Sequence, residues 1–211
     1  MEILNNTELN AAKLIINQGF SKAAESLSFF MKEKIRFNEL SFSVNKVEKE
    51  INFTAKQGQN IHLLITNVIG ELKGVCFLIF SEEEANKLRQ TALPKEVLEN
   101  PAMMSEMSDA IMLEVDNIIS ASVITQFSNI LQHKIYGGVP ELKKLNSKQL
   151  SEYISGNFEQ DAYFINFKTQ LASSSLNFNP EFVWLLDNTF LNSIKTFALD
   201  SAKVSQLEAV I

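Results

Sequence analysis

A chain of 211 residues, 45% of them apolar, has enough material to bury one full core. Its formal net charge of -6, with Lys143-Lys144 the one pair of adjacent basic residues, excludes a surface built to neutralise nucleic-acid phosphates. The single cysteine, Cys76, lies in the apolar run Val75–Phe80, so no internal disulfide can form and the thiol reads as a small buried hydrophobe. Glu2, Asn5, Asn6 and Glu8 stand where a signal peptide needs basic and then apolar residues. No uninterrupted apolar run approaches the roughly 18 residues of a membrane span. The expectation is a cytoplasmic protein with no membrane contact.

From Thr7 to about Arg36, the residues Leu9, Ala12, Ile16, Ala23, Leu27 and Phe30 recur at helical steps, which predicts a long helix that Gly19 interrupts without ending. Phe42 to Ala55 alternate loosely as a strand, and Gln57-Gly58-Gln59-Asn60 signals a turn. The apolar runs 61–69 and 74–80, joined by Gly70-Glu71-Leu72-Lys73, predict a hairpin. Ser81 ahead of Glu82, Glu83 and Glu84 predicts a capped helix through Leu88, its acids solvated and complementing the helix dipole. Pro94 closes that helix, and Pro101 precedes a longer one over 102–134, which ends in a turn at Gly137–Pro140. Ser147 is placed to cap a short helix to Ile154. Asp161–Leu171 reads as a strand, Ala172–Asn179 as a polar turn region, Phe182–Leu186 as a strand and Asn188–Ala198 as a helix. His62 and His133 have no cysteine or carboxylate at ligand spacing, so dipole or surface roles are expected and no metal site. The sixteen phenylalanines recur at core periods and read as packing. There is no glycine-rich phosphate loop, Gly-x-Ser-x-Gly elbow or nicotinamide fingerprint.

The stretch Ala110 to Pro140 organises the rest. At about 100° per residue, Ala110, Glu114, Asn117, Ala121 and Ser128 share one stripe, and Met112, Val115, Ile119, Val123 and Ile130 the opposite one. With the apolar stripe buried, Glu114 and Asn117 face outward between two alanines, on a flat strip that another macromolecule can approach. The halves of the chain also superimpose. Asn17, Lys34 and Ile35 fall on Asn117, Lys134 and Ile135 (117 − 17 = 100), and Asn86 falls on Asn192 (192 − 86 = 106), with Phe77–Ser81 over Val183–Asp187. The expectation is one α/β (α+β) domain over 1–211, made of two half-repeats (about 1–100 and 101–211) sharing an antiparallel-rich sheet with pseudo-twofold symmetry and two long helices.

These residues resemble a family. The duplicated order, Glu114-x-x-Asn117, and a proline after 22 intervening residues (140 − 117 − 1 = 22) are similar to the CheC/CheX/FliY family of chemotaxis phosphatases. So are Asn117-Ile118-Ile119-Ser120-Ala121-Ser122, Val139-Pro140-Glu141-Leu142 and the hairpin Gly70–Phe80. Both halves being present without an added C-terminal rotor-binding domain makes CheC the nearest resemblance. The resemblance implies hydrolysis of the aspartyl phosphate of a CheY-like response regulator, with Glu114 and Asn117 as catalytic residues and Ala110, Ala121 and Pro140 at the partner interface. Asn117 would position the attacking water and Glu114 would pair with a lysine of the regulator. It implies no cofactor or metal on the chain itself, since the Mg²⁺ sits on the phosphorylated partner, and it adds CheD as a further candidate partner.

The chain departs from the family pattern at Ala110, where the family often has Asp or Ser; Ser108 and Asp109 are out of register. In the first half Asn17 survives, but Leu14 fills the glutamate slot and Leu40 the proline slot, so Asn17 reads as a degenerate second site. The alternative is a non-catalytic adaptor or sequestering protein that binds a phosphorylated receiver, CheD or the flagellar switch. A receptor module for a small ligand would instead need a closed apolar pocket.

Overall fold

The computed structural model describes residues 3–46, 60–156, 163–174 and 177–209. In chain order the elements are α1 (Asn6–Met31), β1 (Arg36–Lys46), β2 (Asn60–Gly70), β3 (Gly74–Ser81), α2 (Glu82–Ala92), α3 (Lys95–Leu98), α4 (Pro101–Leu131), β4 (Ile135–Gly137), β5 (Glu141–Asn146), α5 (Ser147–Gly156), β6 (Tyr163–Ala172), β7 (Asn177–Phe178), β8 (Glu181–Leu186), α6 (Asn188–Ala198) and α7 (Ser201–Glu208).

Local chemistry sets the boundaries. At the start of α1, the Glu8 amide donates to the Asn5 side chain and the Asn5 amide to Glu8, a capping box. The helix stops at Met31, about five residues short of the sequence expectation, because Lys32 turns left-handed and the Ile35 amide donates to the Ser28 hydroxyl. The strand expected from Phe42 therefore already begins at Arg36; its expected continuation past Lys46 and residues 57–59 of the expected turn lie outside the described residues. α4 starts on Asn100, whose side chain accepts from the Ala102 and Met103 amides, and ends with Gln132 left-handed. The cap of α5 is Asn146 rather than Ser147, since Asn146 and Gln149 exchange backbone and side-chain hydrogen bonds. Sequence reasoning missed α3, β4, β5, β7 and α7. β5 carries Lys143 and Lys144 on the outer edge of the sheet, where charge discourages pairing with other chains and also blurs the apolar alternation.

The strands form one antiparallel sheet in the order β1-β6-β8-β3-β2-β4, with β5 also on β2 and β7 on β6. β3 and β8 meet at the centre, where Phe77 opposes Val183. Each half lends its outer strand to the other: β1 pairs with β6, and β5 with β2. On one face, β2 presents Leu64 and Val68, β3 presents Cys76 and Leu78, and β8 presents Phe182 and Trp184 to a core completed by α1, α4 and α6. Phe20 stacks on Phe167 in that core, and Phe127 packs against Trp184 and Phe190. On the other face α5 covers Ile61, Leu63, Phe77 and Val183 with Leu150 and Ile154. The phenylalanines are packing residues with exceptions, Phe29 and Phe30 being exposed at the end of α1.

By length and composition α4 could cross a membrane, although polar residues interrupt its apolar run. Here its apolar stripe lies on the sheet and against α1. The two helices touch at Gly19, where a Cβ would lie 2.7 Å from the Val123 Cα and 2.8 Å from its Cγ2. Gly19→Ala gains about 1 kcal/mol of helix propensity but forces backbone apart, a cost of about 1–3 kcal/mol. The expected net result is a lower melting temperature by thermal unfolding, where an uncrowded helical glycine would give a rise.

Candidate functional site

α4 leaves its outward face exposed to solvent. Met103, Met107, Ala110, Glu114, Asn117 and Ala121 lie within an arc of about 80° and are all exposed. Met112, Val115, Ile119 and Val123 on the opposite side are buried; Ile130 is half-buried. Neither Glu114 nor Asn117 is held by a hydrogen bond or ion pair among the described residues.

The position of Pro140 follows from two contacts. Lys144 Nζ lies 2.8 Å from Asp109 Oδ1. At the other end of that segment, a Cβ on Gly137 would come within 3.1 Å of Ile124 Cδ1. Asp109 to Ile124 is 124 − 109 = 15 residues of helix, about 22 Å; Gly137 and Lys144 pair with Val68 and His62, 68 − 62 = 6 residues apart on β2, about 20 Å. The two segments run antiparallel at matched length, so the level of Asn117, eight residues along from Asp109, falls beside Pro140. The interval from Asn117 to Pro140 is thus the path up the rest of α4, round its left-handed end and back along the sheet edge. Gly137 and Gly138 let this return pass close, against Ile124, Thr66 and Ile69, and the Gly138 amide donates to the Asn67 carbonyl.

The equivalent residues of the first half have neighbours that those of the second lack among the described residues. Asn10, 100 residues before Ala110, donates to Glu208 of α7 at 3.0 Å. Asn17 is half-buried and lines a cleft of about 390 Å³ with Phe20, Arg36, Phe37 and Asn38, closed on one side by β1.

Several polar residues have roles that sequence reasoning missed. Asp116, next to Asn117 but turned inward, is fully buried; the Thr66 hydroxyl of β2 donates to its Oδ2 at 2.7 Å and the Ser120 hydroxyl to its Oδ1 at 3.1 Å. Its inward place on the helical wheel was readable, but its two hydroxyl partners sit on separate stretches of sequence. His62 is buried, not a surface residue. Its Nε2 lies 2.9 Å from Glu82 Oε2, whose other oxygen accepts from Arg89 at 2.7 Å. Glu82 is therefore a structural partner rather than one of three solvated acids. Burial pushes its carboxyl up, but hydrogen bonds from His62 and Arg89 outweigh this and hold it below the usual range. Arg89 also donates to the buried Ser108, tying α2 to α4. His133 closes the far end of α4, with Nε2 3.0 Å from Ser193 Oγ and Nδ1 3.7 Å from Glu71 Oε2. That array resembles a catalytic triad, but Ser193 lies inside a helix within donating distance of its own Thr189 carbonyl at 3.0 Å. Among the described residues, no group of three His, Cys, Asp or Glu side chains is gathered to hold a metal.

The fold is of the CheC/CheX/FliY class, the long-helix and antiparallel-sheet architecture shared by FliY, CheX and the middle domain of FliM. FliY from Thermotoga maritima aligns over 94% of this chain and 98% of its own with a TM-score of 0.69 at 14% identity. FliM from its H. pylori complex with SpeE aligns over 93% and 99%, with a TM-score of 0.62 at 11% identity. CheX from Desulfovibrio desulfuricans aligns over 82% and 99%, with a TM-score of 0.52 at 13% identity. H. pylori FliM in complex with FliG is also similar, with a TM-score of 0.60. No protein-family model and no curated protein matches the sequence.

Asp116 gives the fold a distinctive pH response. Burial raises its carboxyl from 3.8 to about 6, against the lowering effect of the Thr66 and Ser120 hydroxyls. A folded-state value above the unfolded one means that the contribution of Asp116 to stability is fully present below about pH 4 and is lost as pH rises through about 6, a cost near 3 kcal/mol at neutral pH. Asp116→Asn is expected to raise unfolding stability at pH 8 by a similar amount and to flatten this part of the pH profile in denaturant titrations. The buried Cys76 thiol, raised by burial and then by Asp116, should resist alkylation in the folded protein.

Proposed function

We propose that this chain hydrolyses the aspartyl phosphate of a CheY-like receiver domain. The observation that carries the reading is the joint presentation of Glu114 and Asn117, one helical turn apart, exposed and without side-chain partners among the described residues, on a helix packed into the core along its opposite side. An acyl phosphate is already activated, and the regulator supplies the Mg²⁺ and a lysine, so the chain needs no cofactor of its own. What remains is to place a water in line with phosphorus. The Asn117 carbonyl oxygen can accept a proton of that water while its amide donates, and a neutral amide does not repel phosphoryl oxygens. Glu114 pairs with the regulator's lysine, a charge-assisted contact worth roughly 1–3 kcal/mol in docking. Ala110, Ala121 and Pro140 keep the approach low, and Met103 and Met107 continue the contact surface along the same stripe. The reading includes one active half: Asn17 is half-buried at a cleft, and Asn10 on its stripe is bonded to Glu208 of α7. It also treats the chain as a cytoplasmic single domain of two half-repeats.

A binding role is the second reading. It is favoured by the FliM likeness, since those FliM structures are of complexes with FliG and SpeE. Here the chain would sequester a phosphorylated receiver or dock CheD or the flagellar switch. At one-tenth of the regulator concentration, a phosphatase clears all the phosphate, whereas a binder protects a stoichiometric fraction. With phosphate release from a panel of phosphorylated receiver domains as the measurement, Asn117→Ala is expected to lose at least about 100-fold in kcat. Glu114→Ala should act mainly by raising KM about tenfold or more, and Asn17→Ala should keep most activity. Equal losses at Asn17 and Asn117 would overturn the single-site reading.

A further inference from the structure

We infer that Asp116 is a positioning residue for Asn117: by accepting a hydrogen bond from Thr66 of β2, its side chain fixes the rotation of α4 about its own axis. The inference rests on the proposed use of Asn117. The Asp116 Oδ2 atom receives the Thr66 hydroxyl at 2.7 Å, and both side chains are shut away from solvent. Thr66 is held in mid-strand, opposite Cys76 on β3. On its other side its Cγ2 methyl would lie 3.3 Å from a Cβ on Gly137. The tie therefore runs from the helix to a strand clamped on both sides.

Apolar contacts alone would leave the helix free to roll slightly, because burial is non-directional, whereas a short hydrogen bond has a preferred angle. Asp116 and Asn117 are consecutive, so any roll that strains one bond re-aims the other side chain. At a helix surface roughly 5.5 Å from the axis, a roll of about 10° moves a side-chain tip by about 1 Å, a misplacement that can cost about 100-fold in rate. A hydrophobic residue at this position would bury more cheaply than a carboxylate. Retaining an acceptor here fits a site where aim matters more than stability.

The test compares Asp116→Ala, Asp116→Asn and Ser120→Ala, using a receiver domain phosphorylated by a small-molecule phosphodonor, with amide hydrogen exchange across α4 as a second readout. Asp116→Ala is expected to lower kcat at least about tenfold with KM within about twofold, and to speed exchange over residues 115–122. Asp116→Asn keeps an acceptor for Thr66 and should stay within about threefold of the parent in kcat; Ser120→Ala, which leaves the link to β2, should behave likewise. Unchanged kcat per folded molecule in Asp116→Ala would overturn the inference, as would Asp116→Asn being equally impaired. If Asp116→Ala does not fold, Thr66→Val removes the same link from the other side. Should the parent release no phosphate from any receiver, the phosphatase reading fails by itself. The exchange measurement then decides the link, because equal α4 protection in Asp116→Ala and parent would overturn it.

Discussion

The architecture depends on how α4 is seated. One side of this helix meets α1 at Gly19, where backbone approaches backbone, and buries Met112, Val115, Ile119 and Val123 in the core it shares with the sheet. The other side is left bare. A helix immobilised by close packing along one side can present short side chains on the other with little conformational freedom left to lose on contact. The exposed pair Glu114 and Asn117 takes its chemical interest from that backing, since the same residues on a loosely held helix would be an ordinary solvated face.

Polar links add direction to the packing. Arg89 joins α2 to α4 through Ser108, Lys144 joins β5 to α4 through Asp109, and Thr66 joins β2 to α4 through Asp116. The first is half-buried, the second lies at the surface and the third is in the core. Surface pairs of the Lys144 kind contribute little stability, but this one marks the register between helix and returning strand. That register brings Pro140 level with Asn117.

Much of this was legible in the sequence, and the reasons are local. The period of α4 is read from Met112, Val115, Ile119 and Val123, and the hairpin from two apolar runs about Gly70, whose φ of 126° only glycine adopts easily. The α2 cap is written in Ser81 and Glu84. What escaped were features set by tertiary partners. β4 and β5 are an edge with charged residues, so their alternation is faint. The partners of His62 are not visible in its sequence neighbourhood, because Glu82 is 20 residues away and Arg89 further still. The orientation of Asp116 could be read from its period, but its bond to Thr66 spans 50 residues and no spacing announces it. The bond from α7 to the first-half stripe pairs Asn10 with a residue 198 positions later.

The exchange of outer strands has its own consequence for biosynthesis. β1 finds its place only against β6, with Asn38 bonded to a residue 132 positions downstream. A chain emerging from the ribosome thus holds an unpaired β1 until most of the second half has been made. Neither half can close its sheet early, and contacts this distant in sequence carry a loop-closure cost that slows folding. Assembly of the sheet waits until β6 has followed β1 out, and the two halves can then zip together as one cooperative unit.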